Sequence, residues 1–283
     1  MSLKFNHTFK ENQQLNLGWK PVIFTYLAYA LIMGLFMPVG IQVLKLGKLP
    51  TILLAYTISA IVCLSLILKF GRTPASMGLH KEGILQKWLA GWGVAFLSLG
   101  LVFLINYLLN GLNTAYNNQF LPFIFLLLLL GFTVQSFMEE FLLRALIQEQ
   151  ITMKFGVLMG ILGNSLIFAI GHLNNPNASI LSIFNTFLIA IVFSFMFYYH
   201  DNLWIVAGFH AGWNFILGPV LGITVSGFDL PTTLLKTSFH LDKAYLNGGK
   251  YGFEASYPVT IISLIMIAIY LILVTKKQQN DTL

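Results

Sequence analysis

The chain has 283 residues, 57% of them hydrophobic and only 9% charged, where a soluble domain carries about 25% charged residues. A formal charge of +6 could suggest a nucleic-acid partner. The basic residues, however, are scattered over short joints and tails, with no cluster and no binding motif, so the composition argues for a polytopic membrane protein and against nucleic acid. The single cysteine, Cys63, sits in an apolar run, which excludes an intrachain disulfide and any CxxC pair.

The first twenty residues are polar and are expected to form an N-terminal tail. The first apolar segment begins too late and runs too long for a cleaved signal peptide, so it is expected to stay as a span. Apolar segments of bilayer-crossing length follow at about 21–44, 50–70, 86–109, 122–148, 156–174, 179–199, 203–221 and 257–275. The expected fold is an all-α, polytopic helix bundle with about eight transmembrane helices. The expected layout is one membrane domain over 21–275, a motif core over 120–220, and a C-terminal tail over 276–283. Residues 222–256 make the one long joint, expected as a partly ordered surface loop.

Orientation follows from the cations. With the N-terminus cytoplasmic, the cytoplasmic side holds ten Lys or Arg residues. The other side holds five, namely Lys45, Lys48, Lys236, Lys243 and Lys250, and Arg144 stays within the membrane. The positive-inside rule therefore predicts both termini in the cytoplasm of a multi-pass cell-membrane protein.

Three stretches carry polar groups into apolar spans. The first is 131–150, with Glu139, Glu140 and Arg144. An ionisable group at membrane depth costs roughly 2.5–3.5 kcal/mol on insertion scales, so these three must satisfy one another or do chemistry. On an α-helix, Glu140 and Arg144 are four apart and can pair, whereas Glu139 points about 140° away from Arg144. Glu140–Arg144 reads as a structural ion pair, and Glu139, left without a local partner, as a candidate general base. The second stretch is 164–175, where Asn164, Phe168 and His172 share one helix face; the histidine reads either as a hydrogen-bonded core residue or as a ligand. The third is 204–215, where His210 and Asn214 point the same way and Gly208 and Gly212 permit close approach. That pair could stabilise an oxyanion or help hold a metal, although Asn is a poor zinc ligand. Together the parts suit attack of an activated water on an amide carbonyl. HExxH and GxSxG are absent, and the four aspartates, Asp201, Asp229, Asp242 and Asp281, fall in loops or the tail, which rules out an intramembrane aspartyl dyad.

Glu139-Glu140-Phe-Leu-Leu-Arg144 matches EExxxR, Phe168-Ala-Ile-Gly-His172 matches FxxxH, and His210-Ala-Gly-Trp-Asn214 matches HxxxN. In this order, each on its own apolar span, the set resembles the CPBP family of intramembrane proteases, the CAAX prenyl protease and bacteriocin-processing (Abi) group, over about residues 120–220. The resemblance implies an intramembrane endopeptidase in which Glu139 and His172 activate water, His210 and Asn214 stabilise the oxyanion, and Glu140, Arg144 and Phe168 support the site. It also leaves room for a divalent metal such as zinc, with Glu139, His172 and His210 as candidate ligands. The implied partners are a peptide or protein substrate reaching the site from the membrane, and the lipid bilayer itself. The implied setting is peptide or bacteriocin maturation or self-immunity. Two other functions fit the composition: a non-catalytic membrane scaffold or regulator of a sensor or transport system, and a proton-coupled transporter, for which no internal repeat is found.

Depth raises one difficulty. If the fifth span starts at 156 at the membrane surface, His172 lies about 24 Å in, while Glu139 and His210 are only roughly 10–15 Å from that side. The three can share a site if the fourth span continues beyond residue 150 and the connection near Lys154 projects outside the bilayer.

Overall fold

The computed structural model describes residues 3–280; the last three residues of the expected C-terminal tail, Asp281 among them, lie outside the described residues. The elements in chain order are α1 (His7–Leu15), α2 (Trp19–Val43), α3 (Lys48–Lys69), α4 (Ile84–Leu108), β1 (Leu112–Tyr116), α5 (Pro122–Phe155), α6 (Val157–Ile170), α7 (Ile180–His200), α8 (Leu203–Val220), β2 (Leu235–Phe239) and α9 (Tyr257–Asn280). The all-α membrane bundle is borne out. In a bilayer every backbone polar group must be satisfied internally, and helices do that within one segment.

Of the eight expected spans, seven are long helices and the fifth is a shorter one. Among the described residues seven helices, α2–α5 and α7–α9, are long and apolar enough to cross a membrane. The fifth expected span, 156–174, is the 14-residue α6, about 21 Å long. Gly171 follows α6, and the polar stretch His172–Ser179 then runs as turns and extended chain to α7.

The fourth span continues to Phe155 and reaches 34 residues, about 51 Å, well over the roughly 30 Å hydrocarbon core. It then reverses at Gly156, whose φ of +87° is a left-handed value that suits glycine. Gly160 lets α6 lie close against the end of α5, because a Cβ there would strike the Thr152 side chain and approach the Gln148 carbonyl to 2.9 Å. This extension resolves the depth difficulty. Along a straight axis Glu139 is about 26 Å from Pro122, and His172, counted back from the reversal, is about 27 Å from the same level.

α8 is the central helix: 83% of its apolar window is buried, against 11% for α2, which presents its face to lipid. α8 packs on α4 through glycines on both helices. A Cβ on Gly208 would collide with the Trp88 carbonyl, and one on Gly91 with the Ile205 carbonyl. The close approach read from Gly208 is thus made by a helix. We expect Gly208→Ala to destabilise the protein by about 1–3 kcal/mol, since backbone on the opposing helix must move. Thermal unfolding of the purified protein in detergent measures this, and an unchanged midpoint would contradict the packing.

The two ends of the bundle are tied differently. At one end, within the expected tail, α1 is capped by Asn6, whose side chain accepts from the Phe9 N–H. It buries Phe9 against Phe197 and Tyr198, and the Thr8 N–H donates to Asp201. Asn12 accepts from Arg72, and Arg72 pairs at 2.5 Å with the fully buried Glu149 of α5. The Tyr198 hydroxyl donates to the Lys4 carbonyl and accepts from Gln278, so both described chain ends meet here. At the other end, the joint after α4 and the long 222–256 segment pair as an antiparallel two-stranded sheet, Leu112 opposite Phe239 and Tyr116 opposite Leu235.

Candidate active site

The site is built where α5, α6, α7 and α8 meet, with α3 behind α5. Directly after Glu139 and Glu140, α5 widens into a π-helical stretch, Phe141–Gln148, in which N–H groups reach back five residues. Arg144 still reaches Glu140, at 3.0 Å, and both side chains are fully buried. The guanidinium also donates to the Ala190 carbonyl of α7 at 3.4 Å and lies over the rings of Phe168 and Phe193, 4.9 and 5.1 Å from their centroids. Phe168 of the FxxxH stretch is thus a cation–π partner of the arginine of the EExxxR stretch.

Glu140 carries a second load. Its Oε1 accepts from His210 Nδ1 at 2.7 Å. A carboxylate only accepts, so His210 carries a proton on Nδ1, and Nε2 is the ring atom left for chemistry. That Nε2 stands 3.9 Å from Glu139 Oε2. The gap is too wide for a hydrogen bond, yet one oxygen at about 2.8 Å from each would fit. The residues form a continuous chain, Arg144–Glu140–His210, that ends opposite Glu139.

Glu139 is not left alone, contrary to the expectation from helix geometry. Gln135 Nε2 donates to its Oε1 at 2.7 Å, and the Tyr56 hydroxyl of α3 lies at 3.5 Å. Tyr29 of α2 backs Tyr56, ring to ring at 6.3 Å. Gln135 is one helical turn before Glu139 and was within reach of a spacing argument. Tyr56 comes from 83 residues away and was not.

His172 lies just past α6. Its Nδ1 donates to the Phe168 carbonyl at 2.8 Å, and its ring lies tilted against Phe168, centroids 4.6 Å apart. The carbonyl fixes the tautomer, leaving Nε2 as an acceptor. His172 makes no hydrogen bond or ion pair with Glu139; the two are brought toward one another through Phe168 and His210, whose rings are 6.0 Å apart. Asn214 is buried one turn beyond His210 and makes no hydrogen bond to the described residues. Asn164 belongs elsewhere: its amide donates to Ser194, bracing α6 on α7.

Residues 119–216 match the family model described as type II CAAX prenyl endopeptidase Rce1-like. The motif core is Rce1-like. All three motifs fall inside the match, so the resemblance read from EExxxR, FxxxH and HxxxN is borne out, and the family is one of CAAX-type endopeptidases. The Rce1-like core thus takes in α5–α7 and most of α8, while α1–α4, the 222–256 segment and α9 lie outside it. No curated protein and no solved structure matches the chain.

The donor set does not fit a resident metal. Among the described residues no three His, Cys, Asp or Glu side chains converge as ligands, so Glu139, His172 and His210 do not form the three-ligand zinc site considered from the sequence. Each histidine donates through Nδ1, and no step of the chemistry proposed for the site is routed through a metal.

Proposed function

We propose that this chain is an intramembrane endopeptidase in which Glu139 activates water and His210 with Asn214 stabilises the tetrahedral oxyanion. The carrying observation is the Arg144–Glu140–His210 chain facing Glu139 across 3.9 Å. Glu140 holds the His210 ring by its Nδ1–H and aims Nε2 at the gap, and an Nε2 that carries a proton can donate to an oxyanion. Glu139 takes a proton from water as the hydroxyl oxygen bonds to the carbonyl carbon. The carbonyl oxygen becomes the oxyanion held by His210 Nε2–H and the Asn214 amide. Collapse breaks the C–N bond, and Glu139 returns the proton to the leaving amine. His172 offers Nε2 as a second acceptor that orients the water. The substrate is a peptide or protein segment, of CAAX type by family, reaching the site from the membrane in the course of peptide maturation. The end of the bundle holding both termini faces the cytoplasm, as its lysines favour.

The test is cleavage of a CAAX-ended peptide, prenylated and unprenylated, by the full chain in vesicles. Asn214→Ala is expected to lower kcat by roughly 10²–10³. Wild-type turnover in that variant would remove the oxyanion pair, and a cellular phenotype that survives alanine at Glu139, His172 and His210 would favour the scaffold reading.

A further inference from the structure

The two carboxylate oxygens of Glu139 have different surroundings. Oε2 stands 3.9 Å from His210 Nε2, across the gap in which one oxygen would fit, and has no hydrogen-bond donor among the described residues. Oε1 is met by two donors, Gln135 Nε2 at 2.7 Å and, more loosely, the Tyr56 hydroxyl at 3.5 Å. Neither donor belongs to a motif. Gln135 lies one turn before Glu139 on α5. Tyr56 comes from α3, which packs against α5 but lies outside the Rce1-like core. Tyr29 of α2 stands against the Tyr56 ring and limits where it can swing.

We propose that Gln135 and Tyr56 are positioning residues for hydrolysis, holding Glu139 by Oε1 so that Oε2 is the oxygen that takes the proton from water. The last torsion of a glutamate is broad, so a carboxylate without donors turns readily and its two oxygens exchange places. An oxygen that already accepts from an amide at 2.7 Å would have to give up that bond to take a proton in the same direction, whereas the other oxygen is free to do so. Donors that merely lowered the cost of a charge at membrane depth could sit on either oxygen. Here both sit on Oε1, and Oε2 is the one opposite His210. The proton passes from water to Oε2 as the hydroxyl oxygen bonds to the carbonyl carbon, and returns from Oε2 to the leaving amine. Gln135 and Tyr56 neither gain nor lose a proton. On this reading the Rce1-like core is completed by a hydroxyl from a span that the core does not include.

The inference rests on the endopeptidase reading, and its test has an arm that does not need turnover. Gln135→Met keeps the length of the side chain and removes the donor, and Tyr56→Phe removes only the hydroxyl. With the full chain in vesicles and a CAAX-ended peptide, Gln135→Met is expected to lower kcat roughly 10–100-fold with KM within about twofold, the weight of a hydrogen bond to a charged group. Tyr56→Phe, whose contact is longer, is expected to lower it roughly threefold. The chain has only six glutamates, so 13C-carboxyl labelling of glutamate in nanodiscs gives few resonances, and the one lost in Glu139→Gln belongs to Glu139. That resonance is expected to move in both variants while the unfolding midpoint holds. If Gln135→Met fails to fold, Tyr56→Phe carries the test. An unmoved Glu139 resonance, or a moved one with wild-type kcat, would overturn the proposal. If Glu139→Gln cleaves like wild type, the water-activation reading fails and takes this role with it. Unmoved resonances beside an inactive Glu139→Gln protein overturn the role of Gln135 and Tyr56 alone. If no peptide is cleaved, the resonance decides: unmoved it overturns the hold on Oε1, and moved it supports it.

Discussion

Glu139→Gln is expected to reduce peptide cleavage by roughly 10²–10⁴, the range for loss of a positioned general base. The amide keeps the size of the side chain and still accepts from Gln135 and Tyr56, so the bundle should unfold at nearly the wild-type temperature. What it loses is the ability to take a proton from an oxygen lying between itself and His210 Nε2. A rate assay in vesicles beside a melting curve separates the two quantities. Wild-type cleavage by a folded Glu139→Gln protein would sink the proposed chemistry.

Arg144→Ala is expected to cost about 3–5 kcal/mol of stability, because it strands a buried carboxylate. Glu140 Oε1 would retain only His210 as a partner, and Oε2 already has none among the described residues. The change also removes the cation seated over Phe168 and Phe193. The control is Glu140→Gln with Arg144→Met, which removes both charges together. That double variant should recover most of the stability yet stay poorly active, since no carboxylate then holds the His210 ring by its Nδ1–H. Denaturant unfolding in detergent reads the first effect, and the vesicle assay the second.

The site was legible in the sequence where its partners are neighbours on one helix. Glu140 with Arg144 and His210 with Asn214 are i, i+4 pairs, and a charged triplet in an apolar run identifies itself by its cost. Legibility ended where the partner comes from another segment. Tyr56 sits among the apolar residues of α3 with nothing to distinguish it from a core aromatic. Glu254, whose carboxylate accepts from the Trp213 indole N–H, lies in a loop whose glycines and lysine suggested solvent. Helix geometry gave Glu139 no partner on its Arg144 side, and the bundle supplied Gln135 and Tyr56 instead. In the fold, residue counting merged α6 with the turn after it, because Gly171 and Leu173 on either side of His172 carry no break signal although the helix has already ended. The helix in the N-terminal tail was hidden by its polarity: its one fully buried apolar residue, Phe9, gives no periodic signal alone. The pairing of β1 with β2 joins residues 119 to 127 apart, beyond any local pattern.

The early end of α6 has a consequence for supply. Each peptide bond hydrolysed consumes one water molecule, and a hydrocarbon interior provides almost none. Because α6 stops at Ile170, the run His172–Ser179 carries its exposed asparagines Asn174 and Asn177 away from His172 as non-helical chain. Such chain survives at membrane depth only against protein or water. Asn177 lines an open cleft of about 430 Å³ together with Thr224, Asp229 and Lys250, and the Pro176 carbonyl lies against Gly227 at its wall. The cleft and the exposed asparagines open the protein to solvent at the sheet-bearing end of the bundle, Asn174 two residues along the chain from His172. Under the proposed chemistry, water would enter from this polar end while a membrane-borne substrate would come from the lipid flank.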